Sequence, residues 1–372
     1  MQHPFLVYHL FRIKIRSEDN NFKINFNKML NFQDLPDELV LKILGYSETK
    51  HLITYGQLSK RIRRISHDDT LWETANLNKK IVKTELIEMI LSKGCKSLNI
   101  SDSAIIGSLS SNIKSELRAL DLSQSAWAKM RPGPKVYEKS FDFIEVILNS
   151  CCSLQDLKME GLMLTPKMVA SICKNGKTLQ VLNLNCRLRL LYQSPSYKNP
   201  GDFTMPEAYF QSIIQCCQEL KEVDLAYIDM PQLTEDDLEF LAKNISPNVV
   251  KLNLSQQDVE DDHVKILLGR CNKIKILDLG LTFVTKDLLK TIRKYLNLTL
   301  EELSMSQLGY TSFLELKKMS RLKILNVYAN KEDTKIIHNW SKHLPQLMIR
   351  TIFCNESGKI LPNLNLIYEE LD

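Results

Sequence analysis

The sequence predicts an α/β solenoid of stacked repeats, bent into a horseshoe, with a small three-helix module in front of it. Three observations carry this reading. A short apolar pattern recurs ten times from Cys95 onward, the segments between copies turn helical, and three short amphipathic stretches lie upstream. The clearest copy is IKILDL, Ile274 to Leu279, apolar at its first, fourth and sixth places. It recurs as LRALDL at Leu117, LQVLNL at Leu179, LKEVDL at Leu220, VVKLNL at Val249, LEELSM at Leu300 and LKILNV at Leu322. Weaker copies are CKSLNI at Cys95, LQDLKM at Leu154 and LPQLMI at Leu344. The steps between starts are 22, 37, 25, 41, 29, 25, 26, 22 and 22 residues. A period of roughly 20–29 with this spacing is the signature of leucine-rich repeats. The fourth and sixth places lie on one face of a short strand and point inward. One unit cannot bury that face alone, so neighbours stack. Leu277 and Leu279 are therefore expected to be fully buried.

Composition narrows the class. The 372 residues are 44% apolar and 25% charged, enough for a sizeable core and more than one domain. A net charge of +5 from 49 basic and 44 acidic residues is too balanced to argue for nucleic acid. The nine cysteines form no disulfide framework and no zinc spacing. Cys151, Cys217 and Cys271 each stand three places before a repeat's first apolar position and read as buried free thiols of a reducing compartment. No stretch is long and apolar enough to span a membrane. The start, MQHPFLVYHLF, lacks the basic region and cleavage site of a signal peptide.

Residues 1–30 read as an N-terminal extension. In residues 31–77, Asp34 can cap a helix, and Asp37 and Glu38 suit its positive end. Leu39, Ile43 and Leu44 fall on one face of that helix. A second helix is expected around Leu52 to Tyr55 and a third around Leu58 to Ser66. Three short helices make a thin core that leans on a partner or a neighbour. KRIRR, Lys60 to Arg64, reads either as a nuclear-import signal, giving a nuclear and cytoplasmic protein, or as a solvated helix face with Ile62 turned inward.

LPDELVLKIL followed by LSKRIRRISHDDTLW resembles an F-box. Leu35, Pro36, Glu38, Leu39, Ile43, Leu44, Leu71 and Trp72 match the family pattern. Two positions depart from it: the usual Trp of the third helix is Ile62, and a Leu after the first helix is Ser47. An F-box followed directly by leucine-rich repeats is similar to the F-box/leucine-rich-repeat proteins. Within them, DDTLWETANL and the closing RLKILNVYAN and LPQLMI are most similar to the S-phase kinase-associated, cell-cycle branch. The resemblance implies a substrate-recognition subunit of an SCF-type cullin-RING ubiquitin ligase. The eight matching residues would bind the SCF adaptor and, through it, cullin. The repeats would bind the protein substrate, and a small cyclin-kinase-associated accessory subunit would be a further partner. The rival reading is a leucine-rich-repeat scaffold or inhibitor, with the N-terminal helices as a cap on the solenoid.

The boundaries expected on this reading are 31–77 for the F-box, 78–352 for the repeats and 353–372 for a C-terminal tail. Between strands, Thr165-Pro166 and Thr234 open helices, and Ser312 with Glu315 reads as a capping box. The acidic clusters Glu235–Asp237 and Glu260–Asp262 are explained by helix starts, and His263 has no His or Cys at ligand spacing. No Ser-His-Asp spacing, phosphate-binding Gly-rich loop or HExxH motif is present, so neither an enzyme nor a cofactor is expected.

Two surfaces are candidates for the target. The outward strand positions hold Asp121, Asp156, Glu160, Glu222, Asp224, Asp278 and Glu302 against Lys158, Lys251 and Arg350, a net −4 on the concave face. Such a face suits a basic partner segment, or its carboxylates only satisfy neighbouring polar groups. The two long steps place insertions at Gln124–Ser140, net +3, and Arg187–Phe203, net +2, on one edge of the horseshoe. Trp127, Tyr137, Tyr192 and Tyr197 add aromatic faces to this basic lip. Arg131, Arg187 and Arg189 suit the phosphate of a phosphorylated target; the alternative is two loops that touch nothing. No RNA-binding module is recognised.

Overall fold

The computed structural model describes residues 35–123, 134–162, 164–185, 207–226, 233–306, 308, 312–329, 340 and 342–353. The chain divides into two compact units, Met1–Ser47 with His51–Asp68, and Glu48–Lys50 with Asp69–Asp372.

The first helix, α1, spans Asp37–Gly45. It follows Pro36, whose ring presets an extended entry and whose carbonyl accepts from the N–H groups of Leu39 and Val40 at 3.1 Å. Asp34, the expected cap, lies outside the described residues. Helix α2 covers Thr49–Tyr55 and α3 covers Lys60–Ser66. Ser59 caps α3 by accepting the Ile62 N–H at 3.1 Å, and Ile62 and Ile65 are buried. Arg61 Nε donates to Asp37 Oδ1 at 2.8 Å, Arg64 pairs with the other Asp37 oxygen, and Arg63 Nε donates to the Gly56 carbonyl at 2.8 Å. The Arg61 guanidinium, aided by Arg64 and opposed by partial burial, holds the Asp37 carboxyl below its ordinary value. KRIRR is thus a helix face with Ile62 inward and its arginines engaged on α1 and the α2 end. Ile62 fills its place as an apolar core residue. Ser47, where a Leu is usual, leaves its hydroxyl buried without a partner.

The second unit is a leucine-rich-repeat fold. Its strands are β1 (Thr74–Asn76), β3 (Ser97–Asn99), β5 (Ala119–Asp121), β6 (Asp156–Lys158), β7 (Val181–Asn183), β8 (Glu222–Asp224), β9 (Lys251–Asn253), β10 (Ile276–Leu279), β11 (Glu302–Ser306), β12 (Ile324–Ala329) and β13 (Met348–Phe353). They form one parallel sheet in chain order. A second, two-stranded parallel sheet pairs β2 (Ile81–Lys83) with β4 (Ala104–Ile106). Helices fill the connections: α4 (Thr84–Ser92), α5 (Pro134–Ser150), α6 (Pro166–Lys174), α7 (Glu207–Cys216), α8 (Glu235–Asn244), α9 (Asp261–Arg270), α10 (Leu288–Leu296) and α11 (Ser312–Leu316). The register stacks the fourth places: Leu252 pairs with Leu277, Leu277 with Leu303, and Leu303 with Leu325. Leu277 and Leu279 are both 0% exposed, as the repeat pattern requires. Cys151, Cys217 and Cys271 are buried free thiols, and burial pushes Cys217 up to about 12 and Cys271 to about 11.

The helix starts obey local chemistry. Thr165 Oγ1 accepts the Met168 N–H at 3.3 Å with Pro166 in the first turn. Thr234 and Asp237 form a reciprocal capping box on α8. On α9 the box is Glu260 with His263, whose Nδ1 accepts the Glu260 N–H at 3.2 Å while Nε2 lies 2.9 Å from Glu235. Both nitrogens of His263 are therefore used in structure, as the helix-start reading of these clusters expects.

Two details differ from the sequence reading. The sheet begins at Thr74, before the repeat boundary expected at 78, because WETANL is itself a copy with Trp72 at the first place and Ala75 at the fourth. Ala75 pairs with Leu98, and a leucine template does not see it. The last copy runs two residues later than LPQLMI suggests: Ile349 pairs with Leu325 and Thr351 with Val327. A two-residue slip keeps the same side chains inward, so the pattern alone does not set it. The Glu315 carboxylate also takes Arg293 Nε at 2.7 Å and Lys318 at 3.5 Å.

Gly176 lets neighbouring helix ends meet. A Cβ there would stand 2.4 Å from the backbone carbonyl oxygen of Cys216, at the end of α7. Backbone cannot swing aside as a side chain can. Gly176→Ala is expected to destabilise the repeat unit by about 1–3 kcal/mol through overpacking, read by urea denaturation.

Candidate functional site

The first candidate surface is on α1. With three apolar residues in succession, Leu39-Val40-Leu41, and two more at Ile43-Leu44, the helix has two possible inward faces. The structure buries Val40 and Leu44, four residues apart, and leaves Leu39 at 37% exposed with Ile43 half-buried beside it. Pro36 and Glu38 are exposed and Leu35 is half-buried. Leu44, at 3% exposed, is a core residue and not a free anchor. Trp72 is likewise removed from the candidate surface: it occupies the first apolar place of its repeat and is 1% exposed, while Leu71 is half-buried. Tyr46, Ile53 and Leu58 are exposed apolar residues of the same small unit that the pattern did not single out.

The second candidate surface is the face of the large sheet that the half-exposed strand residues form. Two rows flank the buried one. The row before it holds Asp156, Glu222, Lys251, Ile276 and Glu302, in register. The row after it reads Asn76, Asn99, Asp121, Lys158, Asn183, Asp224, Asn253, Asp278, Ser304, Asn326 and Arg350. Most of this second row does one local job. Asn99 Oδ1 accepts the Ser101 N–H at 2.9 Å, Asp121 the Ser123 N–H at 3.0 Å, Asn183 the Asn185 N–H at 2.8 Å, Asp224 the Ala226 N–H at 3.1 Å, Asn253 the Ser255 N–H at 3.0 Å and Asp278 the Gly280 N–H at 2.9 Å. Each is a side chain closing the turn two residues on.

The charges on this face are crowded. Lys158 stands 3.8 Å from Asp156 and Lys251 4.0 Å from Glu222, while Asp121, Asp224, Asp278 and Glu302 form no ion pair among the described residues. Burial raises the carboxyl pKa of Asp278 above its ordinary value, with the like charges of Asp224 and Glu302 adding to it. Burial also raises Asp224, against the hydrogen bonds of Ala226 and Asn253, the charge of Lys251 and the hydrogen bond of Asn185, and raises Asp156. Tyr328 lies over Gly280, where a Cβ would stand 2.0 Å from its ring, so an aromatic ring closes one end of the acidic strip. Glu160 stands just past β6, with its N–H 3.3 Å from Ser123 Oγ.

A raised carboxyl pKa has a definite sign in stability. The folded state holds the proton more tightly than the unfolded one, so ionisation costs stability above the folded-state pKa and the cost disappears as pH falls through it. Replacing Asp224 and Asp278 by Asn should therefore stabilise the chain at neutral pH. That gain should shrink on acidification, as denaturation midpoints of both proteins across pH will show.

Arg131, Arg187 and Arg189, and with them residues 124–133 and 187–203 of the basic lip with Trp127, Tyr192 and Tyr197, lie outside the described residues; residues 134–140 of the first insertion instead begin helix α5, where the Tyr137 side chain is likewise outside them. Residues 1–30 and 354–372 are also outside them. Among the described residues, no group of His, Cys, Asp or Glu could hold a metal ion, and no helix is long and apolar enough to cross a membrane.

Comparison with known proteins bears on the first surface. Residues 32–78 match the F-box-like family model. That match covers the three helices and runs into β1 of the sheet. Among solved structures, the chain is similar to a yeast complex of Rad7 and Elc1, at 16% identity over 88% of this chain and 91% of that one, with a TM-score of 0.44. It is also similar to an internalin, InlF, from Listeria monocytogenes, at 13% identity over 86% of this chain and 91% of that one, with a TM-score of 0.39.

Proposed function

We propose that this chain is the non-catalytic target-recognition subunit of an SCF-type cullin-RING ubiquitin ligase. The observation that carries the reading is the F-box-like segment at residues 32–78 running directly into a leucine-rich-repeat sheet. The small unit would hold the SCF adaptor through Leu35, Pro36, Leu39 and Ile43, with Glu38 at the rim. Spaced apolar residues on one helix face suit a helix-in-groove contact, and exposed Leu39 with half-buried Ile43 meets that need. The large unit would hold the protein target on its open sheet face.

Finer features of the proposal rest on the sequence. The stretches DDTLWETANL and RLKILNVYAN are similar to those of the S-phase kinase-associated F-box protein, which adds a small cyclin-kinase-associated accessory subunit to the proposed partners. Arg131, Arg187 and Arg189 extend the proposal to a phosphorylated target. KRIRR extends it to a nuclear as well as cytoplasmic location. Affinity purification of the chain from cells tests the reading: adaptor and cullin should come with it. A chain that retains a target but brings neither is a scaffold.

A further inference from the structure

We propose that the open sheet face between β6 and β11 binds a lysine- and arginine-rich segment of a partner protein, held by Asp224 and Asp278 with Glu222 and Glu302 beside them. The inference rests on the reading of the repeats as the target-binding unit and is independent of what the F-box-like unit holds.

The argument begins with what the fold requires at the second row. Closing the turn needs a side-chain oxygen two residues before an N–H. Asn99, Asn183 and Asn253 supply it with neutral amides, at distances of 2.8 to 3.0 Å. Asp224 and Asp278 make the same bond on neighbouring strands. Their negative charge adds nothing to the turn, and it is partly desolvated and repelled by like charges. Asn at both positions would keep the turn bonds. Lys251 attracts Asp224 from its place beside Glu222 without forming an ion pair with it, and Asp278 forms none among the described residues, so charge that the turn does not need is left for a cation from outside.

A second observation points the same way. Asn185 lies just past β7, in the turn that Asn183 closes. It is 6% exposed, its amide group donates to Asp224, and its carbonyl oxygen Oδ1 has no donor among the described residues. Asp156 Oδ1, in the first row, also has no donor. A buried acceptor without a donor is destabilising until one arrives. Two acceptors of the cluster thus lack a donor, and Asp224 and Asp278 lack an ion pair, among the described residues; N–H donors carrying positive charge meet both needs. Guanidinium and ammonium groups supply both. The same charges exclude an RNA backbone from this face.

The test uses the full chain and an array of short synthetic peptides graded from acidic to basic. The parent should retain the basic peptides, and retention should fall as salt rises. Asp224→Asn with Asp278→Asn keeps the turn bonds and should weaken retention by about tenfold or more. A control, Asp236→Asn with Asp262→Asn, removes the same charge from the exposed starts of α8 and α9 and should bind like the parent. Equal retention of basic and acidic peptides, unchanged binding by the Asp224/Asp278 variant, or equal loss in the control would overturn the proposal. Adaptor co-purification from the same preparations separates the two readings. Loss of adaptor with peptide binding intact removes the ligase reading alone, and the reverse removes this one alone.

Discussion

Leu277→Ala is expected to destabilise the repeat unit by about 2–5 kcal/mol, the range for deleting a buried leucine side chain and leaving a cavity. Leu277 is fully buried in the middle of a stack, between Leu252 on β9 and Leu303 on β11. Its neighbours are held by the sheet register and cannot collapse inward without breaking it. The effect should also spread. In a stack of repeats each unit contacts only its neighbours, so weakening β10 weakens the coupling between the two halves. Urea denaturation should show a lowered midpoint and a broader transition. Leu298→Ala is the control: that side chain is 76% exposed and its removal should change stability by no more than about 0.5 kcal/mol.

Leu39→Asp should weaken adaptor binding by about a hundredfold or more. Burying Leu39 against an apolar groove would contribute about 1.5–3 kcal/mol, and a carboxylate placed there adds its own desolvation cost. Because Leu39 is exposed and stands outside the core of the small unit, the variant should keep its helices. Val40→Asp is the informative contrast. Its side chain is fully buried, so it should lose both the adaptor and the fold of the unit. Pull-down with circular dichroism on both variants distinguishes an anchor from a core residue. Leu39→Asp retaining the adaptor at parental affinity would remove α1 from the interface.

Much of the large unit was legible in the sequence because repetition multiplies a weak signal. Copies of one spacing located β3 and β5 to β12, and their inward leucines are buried as the pattern requires. What was missed has separate physical causes. WETANL escaped because alanine stands at the inward place of β1, and the slip at β13 escaped because two-residue shifts preserve the face. The strands IVK and AII of β2 and β4 are too short for alternation to show. On α1, Leu39, Ile43 and Leu44 read as one apolar face, but packing chose Val40 with Leu44. Nothing local in a helix with adjacent apolar residues selects between two faces about 100° apart. The acidic row was readable as charge. That its members close turns, and that asparagine does so equally well on neighbouring strands, became visible only from the hydrogen bonds.

The measurement that bears most directly on the whole account is ubiquitin transfer by the full chain isolated from cells. The chain is immunoprecipitated, supplied with ubiquitin, its activating and conjugating enzymes and ATP, and the precipitate is examined for adaptor, cullin and ubiquitin conjugates. The account predicts all three with the parent chain, and their joint loss with Leu39→Asp while the repeat unit stays folded. A precipitate without adaptor or cullin, or conjugates that persist unchanged in Leu39→Asp, would contradict it.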